Sequence, residues 1–344
     1  GSVHAATRWY ERCLRRLPAS GLTRAEREVR LHVTLAYAAA RHRQGKFPEC
    51  LDWAKRAESD AIELGDKASQ AKALDRLHVA ATYLGLPEAE TYGPAALALH
   101  RALGDHLSQA RILDNMGIQR YFAYDWDTAL DLYGQAAQAG RVAGDVIEAN
   151  LGRMNAAEVI SDRGLFESAT AEFHDVLRNW RAAGWAFGIA AAGSNLGLAL
   201  ARDGDSDNGV TMLREALDRF KEIGAEEFIA ETTIRLAEAS THAGAFDDAR
   251  AHAEAGLAIV SDPQGRSRIL RQLATCAAAA GRKSEAVERL RESVELAREA
   301  GAKYEEGLSC IMLASVSSAD GAQASRGTAL LAELGVVALP PAMR

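Results

Sequence analysis

The sequence predicts an all-α chain: a solenoid of about eight stacked helix-turn-helix units, about 16–17 helices in all. Three observations predict it. Glycine returns about every forty residues, at Gly45, Gly85, Gly164, Gly204, Gly244, Gly281 and Gly321, and Tyr124 occupies the one slot that glycine leaves. A second series falls roughly halfway between, at Gly65, Gly104, Gly144, Gly184, Gly224 and Gly301, with Asp262-Pro263 in its missing place. The intervening segments, roughly 17–20 residues each, are rich in Ala, Leu, Arg and Glu, and each is long enough for one helix. A fixed period of this size means helical hairpins that bury their apolar faces on their neighbours.

Taken in order, residues 1–20 read as a lone helix, with Gly1-Ser2 a cloning remnant. Paired helices follow over approximately 24–65, 66–104, 105–144, 145–184, 185–224, 225–262, 263–301 and 302–335, within a repeat region spanning 21–335. The third unit is the clearest. Leu107 to Ala123 carries Ile112, Leu113, Met116, Gln119 and Arg120 at a helical period, and Tyr124-Asp125 turns the chain. Trp126 to Leu130 opens the second helix, which runs through Tyr133 and Ala136 until Gly144 stops it. A glycine just past a helix end takes the left-handed conformation at little cost. The Asp that follows (Asp66, Asp105, Asp145) suits the N-cap of the next helix. The second unit has lost a residue in its turn, Leu86-Pro87-Glu88-Ala89, and the last, Ala322 to Leu334, is weakly patterned. Residues 336–344 lose the pattern and read as a C-terminal tail.

Composition narrows the function classes. By length, 344 residues suggest two or three domains, but a solenoid grows by adding units to one continuous core. Apolar residues at 48% suffice for that core, and 25% charged residues with a net charge of −7 describe an ordinary wetted surface. Residues 1–46 carry ten Lys/Arg against three Asp/Glu, a balance of +7. That basic end, with Leu14, Leu17 and Val29 at helical spacing, reads as a solvated helix face or as an acidic docking surface; it is too modest to argue for nucleic acid. Cys13, Cys50, Cys276 and Cys310 form no CxxC pair and no ligand spacing, so buried thiols in a reducing compartment are expected. No apolar run reaches about 18 residues and no leader pattern opens the chain, which predicts a cytoplasmic protein with no membrane partner.

Chemistry is sparse. The sequence lacks a phosphate loop, GxGxxG after a strand, GxSxG and HExxH. Asp203, Asp205 and Asp207 mimic a calcium loop, but Asn208 and Arg214 stand where glycine and a bidentate Glu are required. They read as a turn whose aspartates cap the next helix. His242 and His252 have no ligand-spaced Cys or carboxylate and read as surface or groove histidines. Asp247-Asp248 and Glu226-Glu227 fall at helix starts, where they satisfy free N–H groups. No catalytic residue, metal or cofactor is expected, and the segment is not read as an enzyme.

This arrangement resembles the tetratricopeptide repeat across essentially the whole chain. The small residue of the first helix is Gly117, Ala157, Gly197, Ala237, Ala274 or Ala314. The small residue of the second is Ala129, Ala169, Ala249 or Ala286, with Cys50 and Gly209 as substitutes; its aromatic is Tyr133 or Phe173, with Leu213 and Leu290 standing in. Ala6, Tyr10, Cys13 and Pro18 match the spacing of a second helix whose first is missing, so the chain begins in mid-repeat, as a module cut from a longer protein would. The period of forty exceeds the family's usual one, and such long repeats are similar to those of bacterial signalling proteins and kinesin light chains.

The resemblance implies a right-handed superhelix whose first helices line a concave groove. The sixth position of those helices reads Ala36, Arg76, Asn115, Asn155, Asn195, Arg235, Gln272 and Met312. Asn is a poor helix former, so three in register ask for a non-local reason, and peptide-binding members hold a peptide backbone with asparagine there. Arg111, Tyr121, Phe122 and Arg202, with Glu158, Asp162, Glu231, Glu238 and His242, would share the groove. The implied partner is a protein or peptide, or a small polar effector; the alternative is amides that only stiffen the stack. The implied parent resembles the class III adenylyl/guanylyl cyclases with an NTPase domain, LuxR-type regulators or antibiotic-pathway activators, with this segment as their C-terminal sensing region. A scaffold or oligomerisation module is the alternative, with self-association through Trp9, Tyr10, Leu14 and Leu17 of the unpaired first helix.

Overall fold

A computed structural model describes residues 3–17, 21–317 and 321–340. Seventeen helices and no strand occur among them. A lone helix α1 (Val3–Arg16) precedes four pairs: α2 (Arg24–His42) with α3 (Phe47–Leu64), α4 (Lys67–Tyr83) with α5 (Ala89–Leu103), α6 (His106–Phe122) with α7 (Trp126–Ala143), and α8 (Val146–Asp162) with α9 (Phe166–Ala183). Four more follow: α10 (Ala186–Asp203) with α11 (Ser206–Ile223), α12 (Glu226–His242) with α13 (Phe246–Ile259), α14 (Pro263–Ala279) with α15 (Lys283–Glu299), and α16 (Lys303–Ser317) with α17 (Gly321–Glu333).

The helix ends are set by local chemistry. Asp66, Asp105 and Asp145 each accept a backbone N–H two or three residues on, from Ser69, Ser108 and both Ile147 and Glu148, at 2.9–3.0 Å. Each bond satisfies a donor that the first helical turn leaves free. Asp262 does the same for Gly265 at 2.7 Å, where Pro263 replaces the usual glycine-led turn. Asp205 departs from expectation: it sits at the N-cap of α11 without a side-chain cap, because its carboxylate accepts the Asn208 side-chain amide instead. Gly321 also departs, opening α17 rather than following a helix end with positive φ. Tyr124 keeps the left-handed turn of the glycine it replaces, at φ 62, a conformation that a bulky residue adopts only under compulsion.

Small residues fix the helix crossings. Gly197 on α10 and Gly209 on α11 face one another so closely that a Cβ on Gly209 would lie 2.5 Å from the Gly197 carbonyl oxygen. Backbone cannot yield there; at Gly117 the atoms nearest an added Cβ are those of the buried Tyr133 ring, at 2.5–3.1 Å.

The chain divides into two compact units. One comprises residues 1–122 and 131–152, the other 123–130 and 153–344. In the first, Leu74, Leu77, Ala96, Ile112 and Leu132 centre the apolar core. Its lone α1 packs on α2 through an edge-to-face series running Trp9, Tyr10, Tyr37 and Trp53. The Tyr37 hydroxyl donates to Glu11 at 2.6 Å, while Trp9 stays 52% exposed. In the second unit the core passes from Leu213 and Leu236 through Ile269 and Leu273 to Leu290 and Leu313. Cys50, Cys276 and Cys310 are buried as expected, but Cys13 is only half-buried. Gly1, Ser2, Pro18 and residues 341–344 of the tail lie outside the described residues.

Candidate functional site: the polar face of the first helices

In the first unit, Arg76 on α4 and Asn115 on α6 are half-buried. Arg76 Nη1 lies 3.4 Å from His42 Nδ1; burial first, then the Arg76 charge, keep His42 below its ordinary pKa. Arg111 is largely exposed and donates to Glu148 at 2.7 Å. Glu90 accepts from both Gln119 and Arg120. Tyr121 and Phe122 meet edge to face at 5.3 Å, with Phe122 60% exposed. Phe47 and Tyr83 stack at 4.2 Å, and Tyr83 is 62% exposed. This unit thus offers exposed aromatic rings beside partly open polar groups.

The second unit treats the same register differently. Asn155 on α8 is half-buried, while Asn195, Arg235 and Gln272 are buried, as is Arg202. Arg235 donates to Glu231 at 2.8 Å and Glu158 at 2.7 Å, and its other terminal nitrogen to the Asn195 amide oxygen. Arg202 bridges Glu238 at 2.7 Å and Asp162 at 2.8 Å. Arg268 grips both oxygens of Glu231, at 2.9 and 2.8 Å. Arg271 Nη1 lies 2.5 Å from Glu305 Oε2. Four guanidiniums are thereby interleaved with five carboxylates on one face of α8, α10, α12, α14 and α16. Taking charges out of water is costly, and only this mutual pairing offsets it.

The network perturbs its own titration. Burial alone would raise Glu231, but Arg268 and Arg235 outweigh it and hold the carboxyl at about 2. Glu238 is likewise held well below the usual range: burial opposes, Arg202 prevails, and His242 assists. Glu158 moves the other way, burial raising it against the pull of Arg235. A carboxylate lowered from 4.5 to about 2 contributes stability above 4.5 that is lost as pH falls toward 2. We expect the melting temperature to fall across that interval and the fall to flatten in Glu231→Gln, with Glu158 contributing in the opposite sense. A melting temperature that rose on acidification there would contradict the assignment.

Elements distant in sequence close over this face. Trp126, 2% exposed, packs its ring 5.5 Å from Tyr304 on α16. Tyr124 lies at 6.4 Å from Trp126, and its hydroxyl is pushed upward by burial and by the charges of Glu305 and Asp162. The Val337 N–H donates to the Arg163 carbonyl at 2.8 Å, and Arg163 Nε donates back to the Leu334 carbonyl at 3.0 Å. Arg163 also holds Asp127 at 2.7 Å. A Cβ on Gly164 would lie 2.2 Å from the Ala338 carbonyl oxygen, so only glycine admits the strand of chain passing over it.

Of the sequence-predicted groove residues, the structure brings Asn195, Arg202, Arg235, Glu158, Asp162, Glu231 and Glu238 into one network. His242, read as a surface or groove histidine, is 3% exposed, its Nε2 3.8 Å from Glu238 Oε1. Sequence reasoning missed Arg268, Arg271, Glu305, Tyr304 and Arg163. Their signal was a pair of arginines one helical turn before and next to Gln272, opposite an acidic pair in the next first helix. No group of three or more potential ligands suited to a metal occurs among the described residues, and no described helix is long and apolar enough to cross a membrane.

Comparison with solved structures places the architecture. A signal-transduction ATPase with numerous domains (STAND) from Pyrococcus horikoshii, which carries a tetratricopeptide repeat sensor, superposes with a TM-score of 0.60 at 14% identity, over 83% of this chain. The fold is that of a tetratricopeptide repeat solenoid. The chain spans 45% of that ATPase's length. Aspartyl phosphate phosphatase F of Bacillus subtilis matches with a TM-score of 0.59 and 12% identity, over 98% of this chain and 96% of its own. The Rap conjugation gene regulator of the plasmid pLS20, solved with a Phr peptide, matches with a TM-score of 0.57 and 12% identity, over 89% and 85% of the two chains. No protein-family profile and no curated protein matches the sequence.

Proposed function

We propose that the chain is a non-catalytic interaction module that binds a polypeptide along the polar register of its first helices. It serves as the sensing region of a larger bacterial signalling protein of the cyclase or NTPase type. The observation that carries the reading is the register itself, which each unit presents separately on the first helices of its hairpins: Arg76 and Asn115 in one, and Asn155 and Gln272 in the other, where Asn195 and Arg235 are committed to the ion-pair network. Amide and guanidinium groups repeated at the spacing of the hairpins are suited to the repeating donors and acceptors of an extended backbone. A peptide-bound neighbour and a neighbour that carries a repeat sensor support it by fold analogy only. The cyclase or NTPase parent rests on that analogy and on repeat texture.

Selection of a displayed random-peptide library on the immobilised chain tests the reading. We expect a recurrent sequence to be enriched, and Arg76→Ala with Asn115→Ala to weaken its binding by about tenfold or more, as losing two or more hydrogen bonds of about 1 kcal/mol predicts. No enrichment, or equal binding by the variant, would reject the groove. The scaffold reading, with self-association through exposed Trp9, predicts instead a dimer that dissociates on Trp9→Ser.

A further inference from the structure

A recess opens between α12, α14 and α16 in the second unit, about 280 Å³ in all with its open mouth included. Glu238, Thr241 and His242 of α12 line one side, Gln272 and Thr275 of α14 the other, and Met312 of α16 adjoins them. Its innermost space holds one water-sized group.

The polar groups facing this space are the Glu238 carboxylate, the His242 ring 3.8 Å from it, the Thr241 and Thr275 hydroxyls and the Gln272 amide. Glu238 Oε1 accepts from Arg202, but Oε2 is buried and has no hydrogen-bond partner. The Thr241 hydroxyl spends its proton on the Ala237 carbonyl at 2.8 Å, and the Thr275 hydroxyl on the Arg271 carbonyl at 3.0 Å, leaving lone pairs toward the recess. Gln272 is only 5% exposed and turns its amide to the same recess. Arg271, the guanidinium on the wall, is committed to Glu305 and to Ser309 Oγ at 3.4 Å. A buried carboxylate oxygen left unmatched is costly. Around it, the network sets five carboxylates against four guanidiniums, with the His242 ring beside Glu238.

We propose that this recess takes a primary ammonium group, carried by the peptide as its N-terminus or as a lysine side chain. The inference rests on the peptide-binding reading and names what the groove recognises. An ammonium is water-sized, donates three hydrogen bonds and brings a positive charge to the Glu238 carboxylate. A planar guanidinium exceeds the innermost space.

The first test needs no peptide. With the Met312 methyl isotopically labelled and assigned through Met312→Leu, n-butylammonium chloride is titrated into the full chain, with n-butanol as the control. We expect a saturable shift of the Met312 signal with the amine alone, weakened at least about tenfold in Glu238→Gln, which removes a charge-assisted acceptor. Gln272→Leu, whose side chain lies outside the ion pairs, keeps the test decisive where Glu238→Gln fails to fold. It too is expected to weaken the amine. No shift, or equal shifts by amine and alcohol, would mean that an ordered water alone fills the recess, and would overturn the proposal.

The library-derived peptide then distinguishes the sources. Loss of binding on N-terminal acetylation assigns the terminus, and loss on lysine acetylation assigns the side chain. Undiminished binding of the doubly acetylated peptide would leave the groove reading standing and end this one.

Discussion

Replacing Arg202 by methionine is expected to destabilise the second unit by about 3–5 kcal/mol, the range measured when one partner of a buried ion pair is removed. The side chains of Asp162 and Glu238 are only 10% and 6% exposed, so neither recovers water when its guanidinium is lost. The magnitude comes from the two stranded carboxylates, not from the strength of the bridges. The combined variant Arg202→Met, Asp162→Asn, Glu238→Gln should therefore recover most of the loss, because it removes the charges together. Chemical unfolding followed through Trp180 and Trp185, both in this unit, reads the two variants. A single variant within about 1 kcal/mol of the parent would show that solvent reaches the network.

Trp126→Ala should produce a loss of similar size, about 3–5 kcal/mol, from the cavity left beside Tyr304. Its distribution is the informative part. In an open repeat array, a change in one hairpin is felt mainly by the next. Here hydrogen exchange should quicken in α16 as well as in residues 123–130, since Trp126 and Tyr304 support one another directly. Quickening confined to residues 123–130 would mean that the ring contact carries little energy.

Much of the fold was legible because it is governed by local rules repeated many times. Left-handed glycines, aspartate caps and small crossing residues each act within a few positions of where they stand, so Gly45, Asp105 and Gly197 could be read without knowing the rest. The register of Arg76, Asn115, Asn195 and Arg235 was legible for the same reason, being one position sampled every forty residues. What the register does in the second unit was not. Whether Arg235 faces solvent or three partners depends on Glu158 and Asn195, in two other hairpins, and no local pattern encodes that choice. The closing contacts were hidden more deeply. Trp126 looked like an ordinary first residue of a second helix, and Val336 to Ala338 looked like a tail. Tyr124 was the visible clue: it breaks the glycine series where the chain turns back toward Tyr304. Its irregularity marked the place but not the partner.

The glycine at position 164, with the backbone of Ala338 laid across it, carries an evolutionary implication. Ordinary arrays of this kind lengthen or shorten by whole hairpins with little penalty, since a new module needs only to fit its two neighbours. Between residues 164 and 338 that freedom is gone. Duplicating or deleting one hairpin would move the two segments apart by a helix-packing step or more, about 8–10 Å, far beyond the reach of the Arg163 and Val337 hydrogen bonds. The number of modules in this part of the molecule is therefore counted by the chain itself.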